Sequence, residues 1–312
     1  MGNQLLTGIH LYALQCEYRH RYMVFNWTIK TYLPYFEQRG DEDQNTSPAH
    51  STAPGTWQCK GREFASRQKI RLAHLVAHLV PYWQSIVVGN IPNRLPRLGG
   101  LHVDFLDLDS VESKKWLAEG RSLVIGGWPV RCWSILANHE DAVRRQFKPA
   151  PQYWNLARKN VGQLRSVCDL VIGVLVRHTD YATWAGGRYF FEFERYVIWM
   201  KQVALLFTKN KVGFLISSDD KLDVLSCGLD CVVPSLGLGE PMEPKHYLVS
   251  FSELAQCDYI LSPPSTFSAL AAFIGNIPFI ATYEKAQRIT ESDVLWGLQE
   301  IRAHQHVAVA VN

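Results

Sequence analysis

The sequence predicts an α/β fold built on a parallel, doubly wound sheet, and three observations predict it. Residues 170–176 (LVIGVLV) form a continuous apolar run, as a parallel strand covered on both faces requires. Shorter apolar runs at 213–216, 231–233, 259–261 and 277–282 alternate with stretches of helical character, the β–α rhythm of such a sheet. Charged and hydroxyl-bearing residues follow three of these strands directly, at 177–181, 217–220 and 262–268. On a doubly wound sheet that edge, beyond the carboxyl ends of the strands, is where ligands bind.

Taken in order, residues 4–20 read as an amphipathic helix, because Leu5, Ile9, Tyr12, Ala13 and Cys16 recur at helical spacing. Residues 22–36 are rich in β-branched and aromatic types and are broken by Pro34. The stretch 40–56 holds no large apolar residue and is expected to be an exposed, mobile loop. Residues 67–79 predict a helix with Leu72, Leu75, Val76 and Leu79 on one face. Short strands are expected at 86–88, 101–105 and 123–125, then a helix over 133–147 closed by Pro149 and Pro151. The second half predicts a long helix near 190–208, a short helix at 252–256 capped by Ser252, and a helix over 266–274.

Composition narrows the function classes. The 312 residues are 47% hydrophobic and 20% charged, an ordinary globular mixture long enough for two domains of about 150 residues each. Their expected bounds are 1–160 and 161–312. Lys plus Arg number 32 and Asp plus Glu 29, giving a net charge of +3 with no basic stripe, so no nucleic-acid partner is expected. No apolar run reaches the ~18 residues of a membrane span, so membrane contact is expected to be peripheral at most. The start Met-Gly-Asn-Gln-Leu-Leu lacks a charged n-region and a cleavage site, which predicts a cytoplasmic protein, with the inner face of the membrane as its other station. An odd set of seven scattered cysteines reads as reduced thiols, and the Cys227–Cys231 spacing lacks the second pair of a zinc site.

Two segments carry the candidate chemistry. Strand 170–176 runs straight into Arg177, His178, Thr179, Asp180 and Tyr181. An arginine at that edge can grip a phosphate with two parallel N–H bonds; it can equally close a loop by pairing with Asp180. Ser265, Thr266 and Phe267 open the helix 266–274, where free N–H groups and the helix dipole favour an anion, or where Ser265 simply caps. A diphosphate bound at the sheet edge needs both. Weaker candidates are the Asp107-Leu108-Asp109 triplet, a potential metal–nucleotide motif more simply read as loop carboxylates, and Asp219–Asp220, suited to ribose or base contact or to turn chemistry. His74 and His78 lack the glutamate of a zinc-protease helix. Ser265 lacks a nucleophile-elbow context, which places a hydrolase last.

These segments together resemble a known family. Gly173-Val-Leu-Val-Arg177-His178-Thr-Asp180-Tyr181 is similar to the GVHxRxGDY motif of GDP-fucose-dependent fucosyltransferases, and Trp184 and 186–190 to its bacterial continuation. Ser218-Asp219-Asp220 resembles their SDD motif. Residues 257–268 resemble their third motif, which ends in Ser-Phe-Ser, and Gly2-Asn3-Gln4-Leu5 resembles their N-terminal GNQ loop. The nearest group is the bacterial α-1,2-fucosyltransferase-like proteins of glycosyltransferase family 11. The resemblance implies two Rossmann-like doubly wound domains of GT-B type, the first on the acceptor side and the second binding the nucleotide sugar. It implies inverting transfer of fucose from GDP-fucose to a glycan acceptor, with no cofactor and no essential metal. Arg177 and Asn3 then match catalytic positions, and Arg177, His178, Asp180, Asp219, Ser265, Thr266 and Phe267 match the donor site. Three positions depart from the pattern: Leu175 stands for the motif histidine, Thr179 for a glycine and Leu270 for a tryptophan. They keep two alternatives open, a transferase of another nucleotide sugar and a non-catalytic nucleotide- or glycan-binding protein. In the family a strand precedes the GNQ loop, so the chain as given is expected to lack one strand at its start.

Overall fold

The computed structural model describes residues 2–18, 36, 83–88, 101–120, 122–127, 129–238 and 244–297. The expected loop 40–56 and the expected helix 67–79, with His74 and His78, lie outside the described residues. The chain divides into two compact units; Gln146 ends the first and Phe147 begins the main segment of the second.

The first unit opens with helix α1 (Gly2–Glu17). Leu5, Leu6, Ile9, Leu11, Ala13 and Leu14 are all buried, so the helix is covered nearly all round and not on a single stripe. Strand β1 (Trp83–Val88) lies between β2 (Leu101–Val103) and β4 (Ser122–Gly127), parallel to both, with Ile86 opposite Leu101 and Ile125. The expected strand 101–105 stops at Val103 and resumes as β3 (Leu106–Asp107), which pairs in parallel with β5 (Val130–Arg131). Helix α2 (Val111–Ala118) starts on Ser110, whose hydroxyl accepts the Ser113 N–H. The helix expected over 133–147 is two helices, α3 (Trp133–Asn138) and α4 (Glu140–Gln146), because His139 at φ −126° leaves the helical region between them.

The second unit is a doubly wound α/β domain. Helix α5 (Pro151–Arg165) precedes β6 (Leu170–Val176); α6 (Phe193–Leu206) leads to β7 (Val212–Ser218); β8 (Val232–Pro234) is followed by α7 (Pro244–Leu254), β9 (Tyr259–Ser262), α8 (Thr266–Gly275), β10 (Phe279–Ala281) and β11 (Val294–Leu295). Spatially the strands run β11-β10-β9-β6-β7-β8, all parallel except β11. Strand order therefore reverses between β6 and β9, the topological switch point.

Both faces of the sheet are dry. Ile172, Val174 and Val176 pack with Tyr196, Trp199, Met200 and Val203 of α6, while Val171 packs with Val161 and Leu164 of α5. Alternate residues of β6 thus feed opposite cores, which is why the run is apolar throughout. A Cβ on Gly173 would meet Leu254 Cδ2 at 2.8 Å, so glycine lets α7 lie close to the strand.

Two helices of this unit depart from expectation. Pro149 and Pro151 read as helix terminators, but Pro151 occupies the first turn of α5, where its missing N–H has no carbonyl to serve. The helix expected at 252–256 instead ends at Leu254 and begins at Pro244. Ser252 is not its cap: its hydroxyl bonds the Leu248 carbonyl 2.6 Å away, one turn back.

Candidate functional site

Three of the marked segments converge at the carboxyl edge of the second sheet. Strand β6 delivers Arg177, β7 delivers Asp219, and β9 delivers the turn into α8. Arg177 and the start of α8 thus flank the switch-point crevice.

Arg177 is held from two sides. Its Nη2 donates to Asp180 Oδ1 at 2.5 Å, and its Nε lies 3.4 Å from Asp219 Oδ2 without a hydrogen bond of its own. The guanidinium stands 5.1 Å over the Tyr181 ring. Burial alone would weaken its charge, but Asp219 and Asp180 outweigh burial and its pKa rises, so it is a permanent cation. The two carboxylates differ in kind. Asp219 is 4% exposed, and its oxygens accept the His178 N–H at 2.9 Å and the Thr179 hydroxyl at 2.7 Å. It locks the end of β7 to the turn after β6. Asp180 is 61% exposed.

His178 Nε2 donates to the Phe191 carbonyl at 3.0 Å, which fixes the imidazole against the segment leading into α6. Tyr181 bridges the crevice. Its buried hydroxyl donates to the Pro264 carbonyl on the opposite wall, and its ring packs 4.9 Å from Trp184. Burial pushes the Tyr181 pKa up to about 12, so the hydroxyl keeps its proton.

On that opposite wall Ser265 caps α8, accepting the Phe267 N–H at 3.3 Å. Residues from Phe267 to Ile274 are all buried, so the positive end of the helix dipole acts in low dielectric. Thr266 is half-buried at the first turn. The Phe267 ring packs against Phe251 and Tyr247 of α7, and its backbone N–H is taken by the Ser265 cap. Asn3 belongs to the first unit, where it is exposed in the first turn of α1, a helix where a loop was expected.

The loop after β8 is held by a group that sequence reasoning missed. Glu253 of α7 is fully buried; its Oε1 accepts from Asn160 Nδ2 at 2.7 Å and from the Leu236 N–H at 3.2 Å, and its Oε2 accepts from the Ser235 hydroxyl. Ser235 in turn shares a hydrogen bond of 2.9 Å with Ser250. An acid inside the apolar stretch Leu248–Ala255 was the available signal. Tyr181 was visible in its motif, but not the partner of its hydroxyl.

The Asp107–Asp109 pair serves local structure. Asp107 Oδ1 accepts the Asp109 N–H at 2.9 Å, and Asp109 accepts both the N–H and the hydroxyl of Ser134 at the start of α3. Among the described residues no group of three metal-ligating side chains is clustered, and no helix is long and apolar enough to cross a membrane.

No family model matches the sequence, and no curated protein does. The fold is similar to that of an arginine-to-lysine mutant of Arabidopsis thaliana FUT1 in complex with GDP, with a TM-score of 0.51 at 13% identity over 95% of this chain and 71% of that one. POFUT1 in complex with GDP-fucose aligns over 88% of this chain and 90% of that chain, with a TM-score of 0.43 and 11% identity. At these identities the likeness to the plant structure is one of fold.

Proposed function

We propose that this chain is a glycosyltransferase that moves fucose from GDP-fucose to a glycan acceptor, by an inverting route that needs no metal. One observation carries the reading: a preorganised, permanently charged Arg177 and the capped start of α8 follow the carboxyl ends of the two adjacent strands that flank the switch point. Two further facts support it, the motif resemblance and the likeness of fold to a plant FUT1 solved with GDP.

The chemistry follows from the charges. The acceptor oxygen bonds to the anomeric carbon as the bond from that carbon to the β-phosphate oxygen breaks, and the acceptor proton leaves to solvent or a base. The bonding pair goes to the diphosphate, which gains one negative charge. A fixed guanidinium stabilises that charge without reorganising, and the α8 dipole adds to it. Asp219 holds the turn that carries Arg177, Tyr181 ties that turn to the α8 wall, and Asn3 enters through its motif as the second catalytic residue.

Leu175 favours a second reading. It is 3% exposed and offers no polar atom where the motif has a histidine, which fits a different nucleotide sugar or a protein that binds without turnover. A thermal-shift series with GDP, GDP-fucose and other nucleoside diphosphates separates these readings, since a ligand at 100 times its Kd stabilises by about 2.7 kcal/mol. For the transferase, Arg177→Ala should lower transfer by about 100-fold or more in protein that still folds by circular dichroism, at a lower melting temperature because Asp219 loses its cation. A chelator should leave transfer unchanged. Turnover that survives Arg177→Ala refutes the role of Arg177.

A further inference from the structure

We infer that Asp180 is a built-in competitor for the diphosphate: its carboxylate occupies the arginine face that the phosphate must take. The inference rests on the nucleotide-sugar reading of the crevice. Arg177 has two acid neighbours, and they are not equivalent. Asp219 is inside, and both its oxygens are engaged by the backbone and hydroxyl of residues 178 and 179. Asp180 is outside, and its side-chain contact is Nη2 of Arg177. That nitrogen is the donor next to the Nε that faces Asp219, and on this inference an incoming phosphate oxygen competes with Asp180 for it.

Arg177 is buried but Asp180 is 61% exposed, so the carboxylate exchanges this contact for water and rotates open readily. Once open, however, the Asp180 carboxylate remains beside an anion of its own sign. Donor and released nucleoside diphosphate carry the same phosphates, so the penalty falls on both. Asp180 would then set how fast the product leaves, since weaker retention shows chiefly in the dissociation rate. A residue that simply bound the donor would show the opposite sign on removal.

The test is calorimetric titration of the wild type, Asp180→Asn and Asp180→Ser with GDP, inorganic pyrophosphate and guanosine. Both variants should bind GDP and pyrophosphate about tenfold tighter than the wild type, the size of removing one largely solvated charge about 6 Å from a doubly charged ligand. Guanosine binding should not change, and the gain should shrink as salt is raised. Equal or weaker pyrophosphate and GDP binding by both folded variants overturns the proposal. Tighter pyrophosphate binding with no nucleotide binding upholds the competition and rejects the nucleotide-sugar reading. Absence of anion binding by all three proteins rejects both.

Discussion

Replacing Glu253 tests whether its hydrogen bonds or its charge hold the loop after β8. Glu253→Gln preserves the pattern: the amide oxygen accepts from Asn160 and Leu236, and the amide N–H₂ donates to Ser235, whose hydroxyl proton passes to Ser250. Glu253→Ala removes the acceptor from three donors, each worth about 1 kcal/mol or more when left buried, so about 3–4 kcal/mol in all. For a unit of this size that lowers the melting temperature by roughly 10 °C. The glutamine variant should melt with the wild type at neutral pH or above it. pH separates the two roles further. Burial raises the Glu253 pKa above its ordinary 4.5, against the opposing bonds from Ser235, Asn160 and Leu236. Between those two values the native state holds a proton that the unfolded chain releases, so this group's contribution to stability falls as pH rises through that window. The slope should vanish in Glu253→Gln. Melting followed by circular dichroism across pH measures both effects. A glutamine variant as unstable as the alanine variant would refute the hydrogen-bond account.

Two further substitutions probe the crevice walls. Tyr181→Phe removes the bond to Pro264 and should cost about 1–2 kcal/mol while weakening GDP binding. Because the Tyr181 pKa lies at about 12, the difference in melting should stay constant through the neutral and mildly alkaline range. A variant indistinguishable from wild type in both melting and GDP titration removes the strap. Phe267→Leu should lower stability by about 1–2 kcal/mol with GDP affinity intact, since the ring packs against α7. Lost affinity at unchanged stability would place the ring on the ligand.

Much of the second unit was legible because its strands are buried on both faces. A run such as 170–176 has no polar alternative, and the residues that follow it stand at a ligand edge by topology. Helix signals were less secure. Pro151 could end a helix or begin one, and Ser252 could cap or bond back to Leu248; the local sequence is compatible with either, and packing chose. Periodicity shows where α1 is buried most, not where neighbours also cover its other side.

Arg177 and the Ser265–Thr266 helix start each follow an apolar strand within a few residues, so local pattern alone puts both at strand exits. That β6 and β9 are neighbours, which brings those two features to one edge of the sheet beside the switch point, comes from the fold. It also divided the acids. Asp180 and Asp219 each follow a buried strand within a few residues, yet Asp180 faces solvent and Asp219 is engaged inside the fold. Strand order and burial are long-range properties: they depend on which surfaces exclude water together, and no local spacing encodes that.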